Sequence, residues 1–285
     1  LGKRLISRFN LSEGKDPQHY GIGLKELWEI DPAKHQEGMV LHGSGWPLSE
    51  THSNGGWWLY FDENNQVSFG MVIDLSYHNP YLSPFDELQR LKTHPLIRNI
   101  LEGGKRLSYG ARALTKGGLN SLPKLYFAGG VLVGDDAGFL NPAKIKGTHT
   151  AIKSGMLAAE AVYEAIAAGR QHDEVPTYEQ KFKASWLYND MYQARNFANA
   201  MHRMGIWMGG AFNFLEQNIF KGKMPLTIRD RMPDYDVLER ADHAYIPEYP
   251  KPDGKLTFDK LSSVFISNTN HAEDQPCHLK LTDPD

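Results

Sequence analysis

A glycine-bounded acidic turn contains the residues of this sequence that are best suited to chemistry. Gly134, Asp135 and Gly138 follow an apolar run at residues 125–133, which predicts a strand that is buried on both faces and ends at Gly134. Glycine lets a backbone approach a ligand closely, and the carboxylate of Asp135 would accept hydrogen bonds from ligand hydroxyl groups. The pattern therefore predicts a site for a polyol chain.

The residues that follow this turn predict the N-terminus of a helix. Lys146, Gly147 and Thr148 precede a series of small residues, which favours a helix packed closely against a sheet. The free N–H groups and the positive end of the helix dipole would point at whatever lies before Gly147. A ring that becomes anionic when it is reduced would be stabilised there, as a flavin requires. The alternative is an ordinary strand, loop and helix with a capping threonine.

A second glycine pair predicts a binding site of another kind. Gly55 and Gly56 stand directly before Trp57 and Trp58. Glycine amides are accessible enough to donate to a carbonyl group of a ligand, and indole rings suit the wall of an apolar tunnel. The alternative needs no ligand, because a glycine bulge could enter a strand whose two tryptophans lie on opposite faces.

The elements that must position these residues indicate a mixed fold. Strand-like runs occur at residues 21–29, 56–61 and 67–75, and a helix is predicted at residues 84–93. The Asn64-Asn65 doublet between the last two strands predicts a hairpin turn. We therefore expect an antiparallel sheet that covers a ligand, in a chain of the α+β or α/β class.

The segment at residues 197–220 bears on contact with a membrane. It is rich in Met, Phe, Trp and Ile, but polar residues interrupt it at His202, Arg203, Asn213, Glu216 and Gln217. No uncharged run is therefore long enough to span a bilayer. A helix lying in the interface, with its apolar face in the headgroup region and basic flanks, is the better prediction. The alternative is a core helix under the sheet, because an aromatic stripe at helical spacing is usually buried.

Composition argues against several other functions. The chain has 285 residues, enough for a substantial core, and its net charge of -3 gives no reason to propose nucleic acid as a partner. Its single cysteine, Cys277, excludes an intrachain disulfide. The 12 histidines are scattered and form no i, i+4 pair of the metalloprotease type, so we expect no metal site. No catalytic residue is assigned.

Several long phrases resemble one family of flavoproteins. The segment GGVLVGDDAGFLNPAKIKGTHTAIKSGMLAAEA is similar to the second FAD-binding segment of the electron transfer flavoprotein-ubiquinone oxidoreductases, whose relatives include geranylgeranyl-reductase type flavoproteins. Further phrases match in order over nearly the whole chain, namely YGIGLKELWEI, HGSGWPL, NPYLSPFDELQRLKTHP, LEGGKRLSYGARAL and EYPKPDGKLTFDKLSSVFISNTNHAEDQPCHLKL. Phrases of this length are more specific than a glycine spacing.

The resemblance implies an activity, a cofactor and partners. It implies FAD-dependent electron transfer from reduced electron transfer flavoprotein to ubiquinone in the respiratory chain. The protein would be peripheral or monotopic on an inner membrane, on the cytoplasmic face in bacteria or the matrix face in mitochondria. Gly55 and Gly56 would contact the quinone, and FAD would lie against Gly134, Asp135, Gly138, Lys146, Gly147 and Thr148. The alternatives are a flavin reductase acting on an isoprenoid double bond and a non-catalytic lipid-surface binding module.

The resemblance also implies a fold and domain boundaries. Part of a glutathione-reductase-type FAD domain would be joined to an antiparallel-sheet domain and to a helical membrane-surface segment. We expect a quinone-binding domain at residues 1–113 and the C-terminal part of the FAD-binding domain at residues 114–170. A helical segment would follow at residues 171–225. Residues 226–285 would form a connector and the start of a truncated iron-sulfur domain.

Two motifs of the family are missing from the sequence. It contains no G-x-G-x-x-G turn for the FAD pyrophosphate, and it begins within a predicted helix. A [4Fe-4S] cluster needs four thiolates, whereas Cys277 is the only cysteine. We therefore expect a fragment that is inactive alone, with the cluster present only in the full-length protein.

Overall fold

The computed structural model describes residues 2–276, so Cys277 lies outside the described residues. In this part the strands are β1 Tyr20–Glu29, β2 Val40–Gly43, β3 Gly55–Phe61, β4 Gln66–Asp74, β5 Lys105–Thr115, β6 Tyr126–Phe127 and β7 Gly130–Val131. The helices are α1 Gly2–Arg8, α2 Pro84–Lys92, α3 Pro95–Leu101, α4 Gly134–Ala137, α5 Thr148–Ala167, α6 Pro176–Ala184, α7 Trp186–Gln193, α8 Phe197–Asn218 and α9 Lys260–Phe265. The chain is therefore of mixed α and β structure.

Strands β1 to β5 form one antiparallel sheet in the order β2-β3-β4-β1-β5. The strands predicted at residues 21–29, 56–61 and 67–75 are confirmed as β1, β3 and β4. Asn64 and Asn65 join β3 to β4 with φ angles of 58° and 57°, the left-handed conformation that a tight hairpin turn requires. The predicted hairpin is therefore confirmed.

One face of this sheet carries the first hydrophobic core. Alternate side chains of a strand point to the same face, and those on this face include the fully buried Trp28, Leu59 and Phe69. Leu88 and Leu91 of α2 cover them. The sheet is thus packed on one side and half-exposed on the other.

Helix α2 confirms the helix predicted at residues 84–93. Its N-cap is Ser83, whose hydroxyl accepts a hydrogen bond from the N–H of Asp86 at 3.4 Å, and Pro84 occupies the first helical position. Local capping and burial of one apolar face both favour the same helix.

A second core lies among the helices outside the sheet. Ala158 and Ala161 of α5 are buried there, and the buried Tyr178 of α6 donates a hydrogen bond to the carbonyl oxygen of Leu132 at 3.1 Å. After α5 ends, Gly169 adopts a φ of 72°, the left-handed conformation that commonly terminates helices. The helix therefore ends at a glycine that its own sequence supplies.

The single strand predicted at residues 125–133 is wrong. The chain forms the short hairpin of β6 and β7 instead, and it turns at Gly129, whose φ is 79°. Leu125 and Leu132 are buried, whereas Val133 is exposed. Because the run is apolar throughout, its hydrophobicity gave no sign that one glycine reverses its direction.

Candidate functional site

The predicted quinone glycines lie at the start of β3. Gly55 pairs with Ile73 and Gly56 with Val72. A Cβ atom at Gly55 would lie 2.3 Å from the carbonyl oxygen of Val72, and one at Gly56 would lie 2.9 Å from the carbonyl oxygen of Gly43. Close packing of the sheet therefore requires glycine at both positions, whether or not a ligand binds there.

The two tryptophans that follow occupy opposite faces of the sheet. Trp57 packs against the first core, and Trp58 lies over Gly70, where a Cβ atom would come within 2.3 Å of the indole. The ring centroid of Trp58 is 6.4 Å from that of Tyr60. This is the arrangement of the ligand-free alternative, and lining of a tunnel by these indoles stays a prediction.

Two glycines and a valine form a row on the half-exposed face of the sheet. Directly paired residues share a face, and Val72 lies between Gly56 on β3 and Gly23 on β1. All three residues are half-buried. We call the row of Gly23, Gly56 and Val72 the platform. Sequence reasoning missed Gly23, although its strand was predicted, because the register between strands was unknown.

The acidic turn has the backbone conformation expected of its glycines. Gly134 has a φ of 57° and Gly138 a φ of 100°, and both lie at the ends of the one-turn helix α4. The N–H of Gly134 donates to the hydroxyl of Ser154 on α5 at 3.0 Å. The turn is therefore fixed against the helix that follows it.

Asp135 of this turn is exposed and already has one protein partner. The hydroxyl of Thr115, the last residue of β5, donates to the Asp135 carboxylate at 2.7 Å. The turn is thereby tied to the edge strand of the sheet, a contact that the sequence did not indicate. A carboxylate accepts several hydrogen bonds, so this contact leaves capacity for a ligand hydroxyl.

The predicted N-terminus of α5 is confirmed, but the predicted threonine cap is not. Gly147 is the N-cap and Thr148 is the first helical residue. The hydroxyl of Thr150 donates to the carbonyl oxygens of Phe139 and Gly147, which fixes this end of the helix. Lys146 is exposed beside it. The capping alternative is therefore wrong for Thr148, because the cap position holds a glycine.

Asp190 of α7 holds the loop that leads into α5. Its carboxylate accepts hydrogen bonds from the side-chain amide of Asn141 at 2.7 Å and from the ammonium of Lys144, and it lies 3.4 Å from Nε2 of His149. Burial raises the pKa of Asp190, but these three partners outweigh it and leave the pKa below its usual range. In this loop Ile145, which follows Lys144, has a φ of 55°, an uncommon conformation for a β-branched residue. Sequence reasoning missed Asp190 because it lies far along the chain.

Helix α8 is a helical hairpin. Gly205 interrupts it with φ 69° and ψ -179°. The second leg then returns along the first, so that a Cβ atom on Gly209 would lie 2.6 Å from the carbonyl oxygen of Ala200. The side-chain amide of Asn213 donates to the carbonyl oxygen of Phe197 at 3.0 Å. The interfacial helix predicted from the sequence is thus two antiparallel legs.

Polar residues within this segment form the seam between the legs. Asn213 and Glu216 are buried, and the side-chain amide of Asn196 donates to the Glu216 carboxyl at 2.6 Å. The side-chain amide of Gln217 donates to the carbonyl oxygen of Gln193 at 2.9 Å. Burial raises the pKa of Glu216. These residues interrupt the apolar pattern because they face protein.

The apolar side chains of the second leg are exposed. Trp207 is 88% exposed and Met208 is 69% exposed, and further apolar side chains in and just after this leg are also exposed, namely Ile206, Phe214, Leu215, Ile219 and Phe220. The core-helix alternative is therefore wrong for these side chains. Among residues 2–276, no helix has both the length and the apolar character needed to cross a membrane.

Two family models match parts of the chain. One, described as "ETF-QO, ubiquinone-binding", matches residues 20–114, which include the five-stranded sheet except for Thr115, the last residue of β5. The other, described as "Electron transfer flavoprotein-ubiquinone oxidoreductase, 4Fe-4S", matches residues 254–285.

Curated relatives match nearly every residue. A probable electron transfer flavoprotein-ubiquinone oxidoreductase of Acinetobacter baylyi is 64% identical over 99% of this chain and 52% of its own length. The oxidoreductase of Pseudomonas aeruginosa is 61% identical over 99% of this chain and 51% of its own length. The mitochondrial oxidoreductase of Bos taurus is 47% identical over 99% of this chain and 47% of its own length. The chain thus spans about half the length of these relatives.

A solved structure is similar in fold. A geranylgeranyl bacteriochlorophyll reductase-like protein from Thermoplasma acidophilum matches 77% of this chain and 51% of its own, with a TM-score of 0.52 and 16% identity. At this identity, the likeness concerns the fold alone.

Proposed function

The chain belongs to the electron transfer flavoprotein-ubiquinone oxidoreductase family, and we propose that it serves electron transfer from reduced electron transfer flavoprotein to ubiquinone through FAD. The observation that carries this proposal is the sheet. The ubiquinone-binding match at residues 20–114 coincides with it, and its half-exposed face bears the platform.

In this proposal the quinone head lies flat on the platform. Gly23 and Gly56 have no side chain that would stand up from the sheet, so a planar ring can approach the backbone closely. Val72 between them supplies an apolar contact to the ring. The glycine pair of Gly55 and Gly56 supplies the amide that hydrogen-bonds a quinone carbonyl.

The described residues fit one part of an FAD site. The first N–H of α5 with a helical partner is that of Ala151, which donates to the carbonyl oxygen of Gly147 at 2.8 Å. The amides of the first turn before it therefore remain as donors for an electron-rich ring. Asp135 and Gly134 lie at the adjoining turn, where a ribityl hydroxyl would meet the carboxylate. FAD, when bound, would supply the electron-carrying chemistry.

The residues of this chain do not fit a complete [4Fe-4S] site. Such a cluster is held by four thiolates, and the chain has one cysteine. Although residues 254–285 match the 4Fe-4S family model, no step is assigned to a cluster held by this chain alone.

The hairpin of α8 is the surface that we assign to the membrane. Trp207 and Met208 lie just after the turn at Gly205 and are largely exposed. An aromatic and apolar tip suits the headgroup boundary, where the hydrophobic effect favours its transfer from water. The protein would then be peripheral or monotopic on an inner membrane, where ubiquinone dissolves.

The platform is best tested by adding one methyl group. A Cβ atom at Gly23 would meet its nearest neighbour, the carbonyl oxygen of Arg112, at an ordinary 3.5 Å. Gly23→Ala should therefore fold normally. It should lower kcat/KM for a ubiquinone analogue by about tenfold, because a methyl group in a tight site costs about 1–3 kcal/mol. Reduction of the flavin by electron transfer flavoprotein should be unchanged.

Gly110→Ala is the matched control, because Gly110 lies in β5 of the same sheet and has open space around its Cβ position. Equal quinone kinetics for both variants would contradict the platform assignment. Gly56→Val is less informative, because its Cβ atom would press on the carbonyl oxygen of Gly43 and disturb the sheet itself.

The membrane assignment has its own test and control. Replacing Trp207 and Met208 by serine should reduce flotation of the full-length protein with liposomes. The control replaces Leu261 and Phe265 of α9, each 84% exposed, by serine. Equal loss of flotation in both double variants would mean that general hydrophobicity, and not the hairpin, attaches the protein.

The two alternative functions make different predictions. An isoprenoid reductase would reduce a polyprenyl double bond and show no activity with ubiquinone analogues, and only a fold likeness favours it. A non-catalytic lipid-surface module would lack flavin absorbance. Quinone reduction by a yellow full-length protein would exclude both.

A further inference from the structure

Two histidines and one aspartate from distant parts of the chain meet at the end of the sheet. They are His19, just before β1, His202 in the first leg of α8, and Asp230 in the connector, and their side chains are 2%, 8% and 13% exposed. Nε2 of His19 lies 3.5 Å from Oδ2 of Asp230, and Nδ1 of His202 lies 3.3 Å from the same oxygen. One potential ligand atom from each residue lies within 4.8 Å of the others.

Each histidine also contacts a carboxylate with its other ring nitrogen. Nδ1 of His19 lies 2.7 Å from Oδ1 of Asp234, and Nε2 of His202 lies 3.4 Å from Oδ2 of Asp74. Metal-ligating histidines commonly use their second nitrogen in this way, which orients the ring and raises its basicity. Both imidazoles therefore direct one nitrogen outward to a carboxylate and the other inward to Asp230.

The inner nitrogen of His19 lacks a partner. Nε2 is buried and makes no hydrogen bond, although the Asp230 carboxylate lies 3.5 Å away. A buried polar atom without a partner is costly, and it therefore indicates a missing ligand at this point.

The charges of the cluster also favour a cation. Asp74, Asp230 and Asp234 bring three negative charges, and Lys116, which pairs with Asp74, brings one positive charge. The nearby Arg229 is paired with Asp16 and does not compensate them. With neutral histidines the cluster is short of two positive charges, which one divalent cation would supply.

Two imidazole nitrogens and one carboxylate form a donor set that suits zinc, and their spacing is compatible with it. Ligands bound to zinc at about 2.0–2.1 Å are about 3.3 Å apart in a tetrahedral site and about 2.9 Å apart along an octahedral edge. The measured 3.3 and 3.5 Å fit the tetrahedral case. We propose that His19, His202 and Asp230 bind a zinc ion. Asp230 also lines a surface cavity together with Arg203, Arg229 and Arg231.

A zinc ion here would join three elements that the sequence does not connect locally. It would link the start of β1 to the first leg of the α8 hairpin and to the connector, and Asp74 would anchor the same group to the end of β4. The proposal does not depend on the quinone or FAD assignments. It replaces the expectation from the sequence that the chain holds no metal.

The test measures zinc in the full-length protein. The protein is purified without a histidine tag, incubated with zinc sulfate and dialysed, and zinc and iron are counted separately by mass spectrometry. The parent should retain about one zinc per chain, and His19→Gln, His202→Asn and Asp230→Asn should fall to background. His149→Asn is the control, because His149 also lies 3.4 Å from a carboxylate, that of Asp190, but has no second histidine.

Two further measurements make the result decisive. Zinc should raise the melting temperature of the parent by at least about 2 °C, and it should not raise that of the Asp230→Asn variant, which keeps nearly the same shape. X-ray absorption at the zinc edge should show nitrogen and oxygen neighbours without sulfur. Zinc retained equally by the variants, or bound through sulfur, would place the ion elsewhere and overturn the proposal. A parent that retains no zinc, and loses stability as its histidines lose protons, would show that protons supply the missing charge.

Discussion

Two buried ionic clusters in this protein are built differently. Inside the sheet, Nζ of Lys92 donates to both carboxylate oxygens of Glu26 at 3.1 and 2.9 Å, while Arg106 and the indole of Trp28 donate to the same carboxylate at 3.1 and 2.9 Å. At the end of the sheet, the histidine-aspartate cluster has three carboxylates, one ammonium and a histidine nitrogen without a partner.

The two clusters differ in how far the chain itself neutralises the buried charge. The Glu26 carboxylate accepts four hydrogen bonds from three neighbouring side chains, two of which are cations. Its buried negative charge is therefore neutralised within the protein. In the histidine-aspartate cluster, the single ammonium of Lys116 neutralises only part of the negative charge of the three carboxylates. A buried charge without compensation is expensive, so such a cluster indicates an external cation.

Lys92→Met should have the largest effect on stability. It tests whether the cations around Glu26 are needed to neutralise its buried charge. The change leaves Glu26 buried with one cation in place of two. We expect a loss of about 3 kcal/mol in the free energy of unfolding, near the lower end for breaking a buried pair, because Arg106 still faces the carboxylate. Urea denaturation measures it. The double variant with Glu26→Gln should recover part of the loss, and no recovery would mean that Lys92 acts by packing alone.

The pH dependence of stability gives a second test of the same cluster. Burial lowers the pKa of Lys92 to about 8, although the Glu26 carboxylate opposes this shift. Between pH 8 and about 10.5 the unfolded chain keeps the proton that the folded chain has lost, so stability should rise with pH in this window, by up to about 1.4 kcal/mol per unit. Below pH 8 this contribution should be constant. The parent is compared with Lys92→Met by urea denaturation, and a constant difference between them would refute the assignment.

Lys116→Met tests the histidine-aspartate cluster, because it should lower the stability of the protein without zinc and raise its affinity for zinc. Lys116 pairs with Asp74, and together with His202 it holds the pKa of this buried carboxyl well below its usual range. Without zinc, the variant should lose about 1–3 kcal/mol of stability, the value of a hydrogen bond to a charged group. Its affinity for zinc should rise several-fold, because a repelling charge is gone. A fall in zinc affinity would contradict this electrostatic account, because removing a positive charge should not weaken the binding of a cation.

The smallest effect should come from an exposed pair that serves as a reference. Arg98 and Glu102 lie 3.2 Å apart on α3 and its end, with side chains 50% and 58% exposed. Arg98→Ala should change the free energy of unfolding by about 0.5 kcal/mol or less, because solvent and salt screen this pair. A larger change in the free energy of unfolding, measured by urea denaturation, would show that burial does not explain why the clusters contribute more stability than surface pairs.

Features that depend on neighbouring residues could be predicted from the sequence. The Asn64-Asn65 turn, the end of α5 near Gly169 and the helix that follows Ser83 each depend on the conformational preference or capping of one or two residues. Three of the five strands, β1, β3 and β4, were predicted from their β-branched and aromatic residues, whereas β2 and β5 were not. The resemblance to the family gave the candidate ligands.

Features that depend on distant partners could not be predicted. The loop before α5 is held by Asp190, and the histidine cluster brings His19 beside His202, but no sequence spacing connects these residues. The prediction of a single strand at residues 125–133 was wrong for another reason, because hydrophobicity does not distinguish one buried strand from a short hairpin. Polar residues such as Glu216 looked like a solvent-facing interruption because their partners belong to the other leg.

The reversal of the chain at Gly205 also determines on which side of a bilayer the two ends of α8 would lie. A continuous helix of 22 residues would extend over about 33 Å, comparable to the thickness of a bilayer core, and its two ends could in principle lie on opposite sides. Because the legs run antiparallel, both ends of α8 emerge in the same direction. If Trp207 enters a lipid layer as proposed, the connector that follows would therefore return to the side from which the first leg came, whatever the depth of entry.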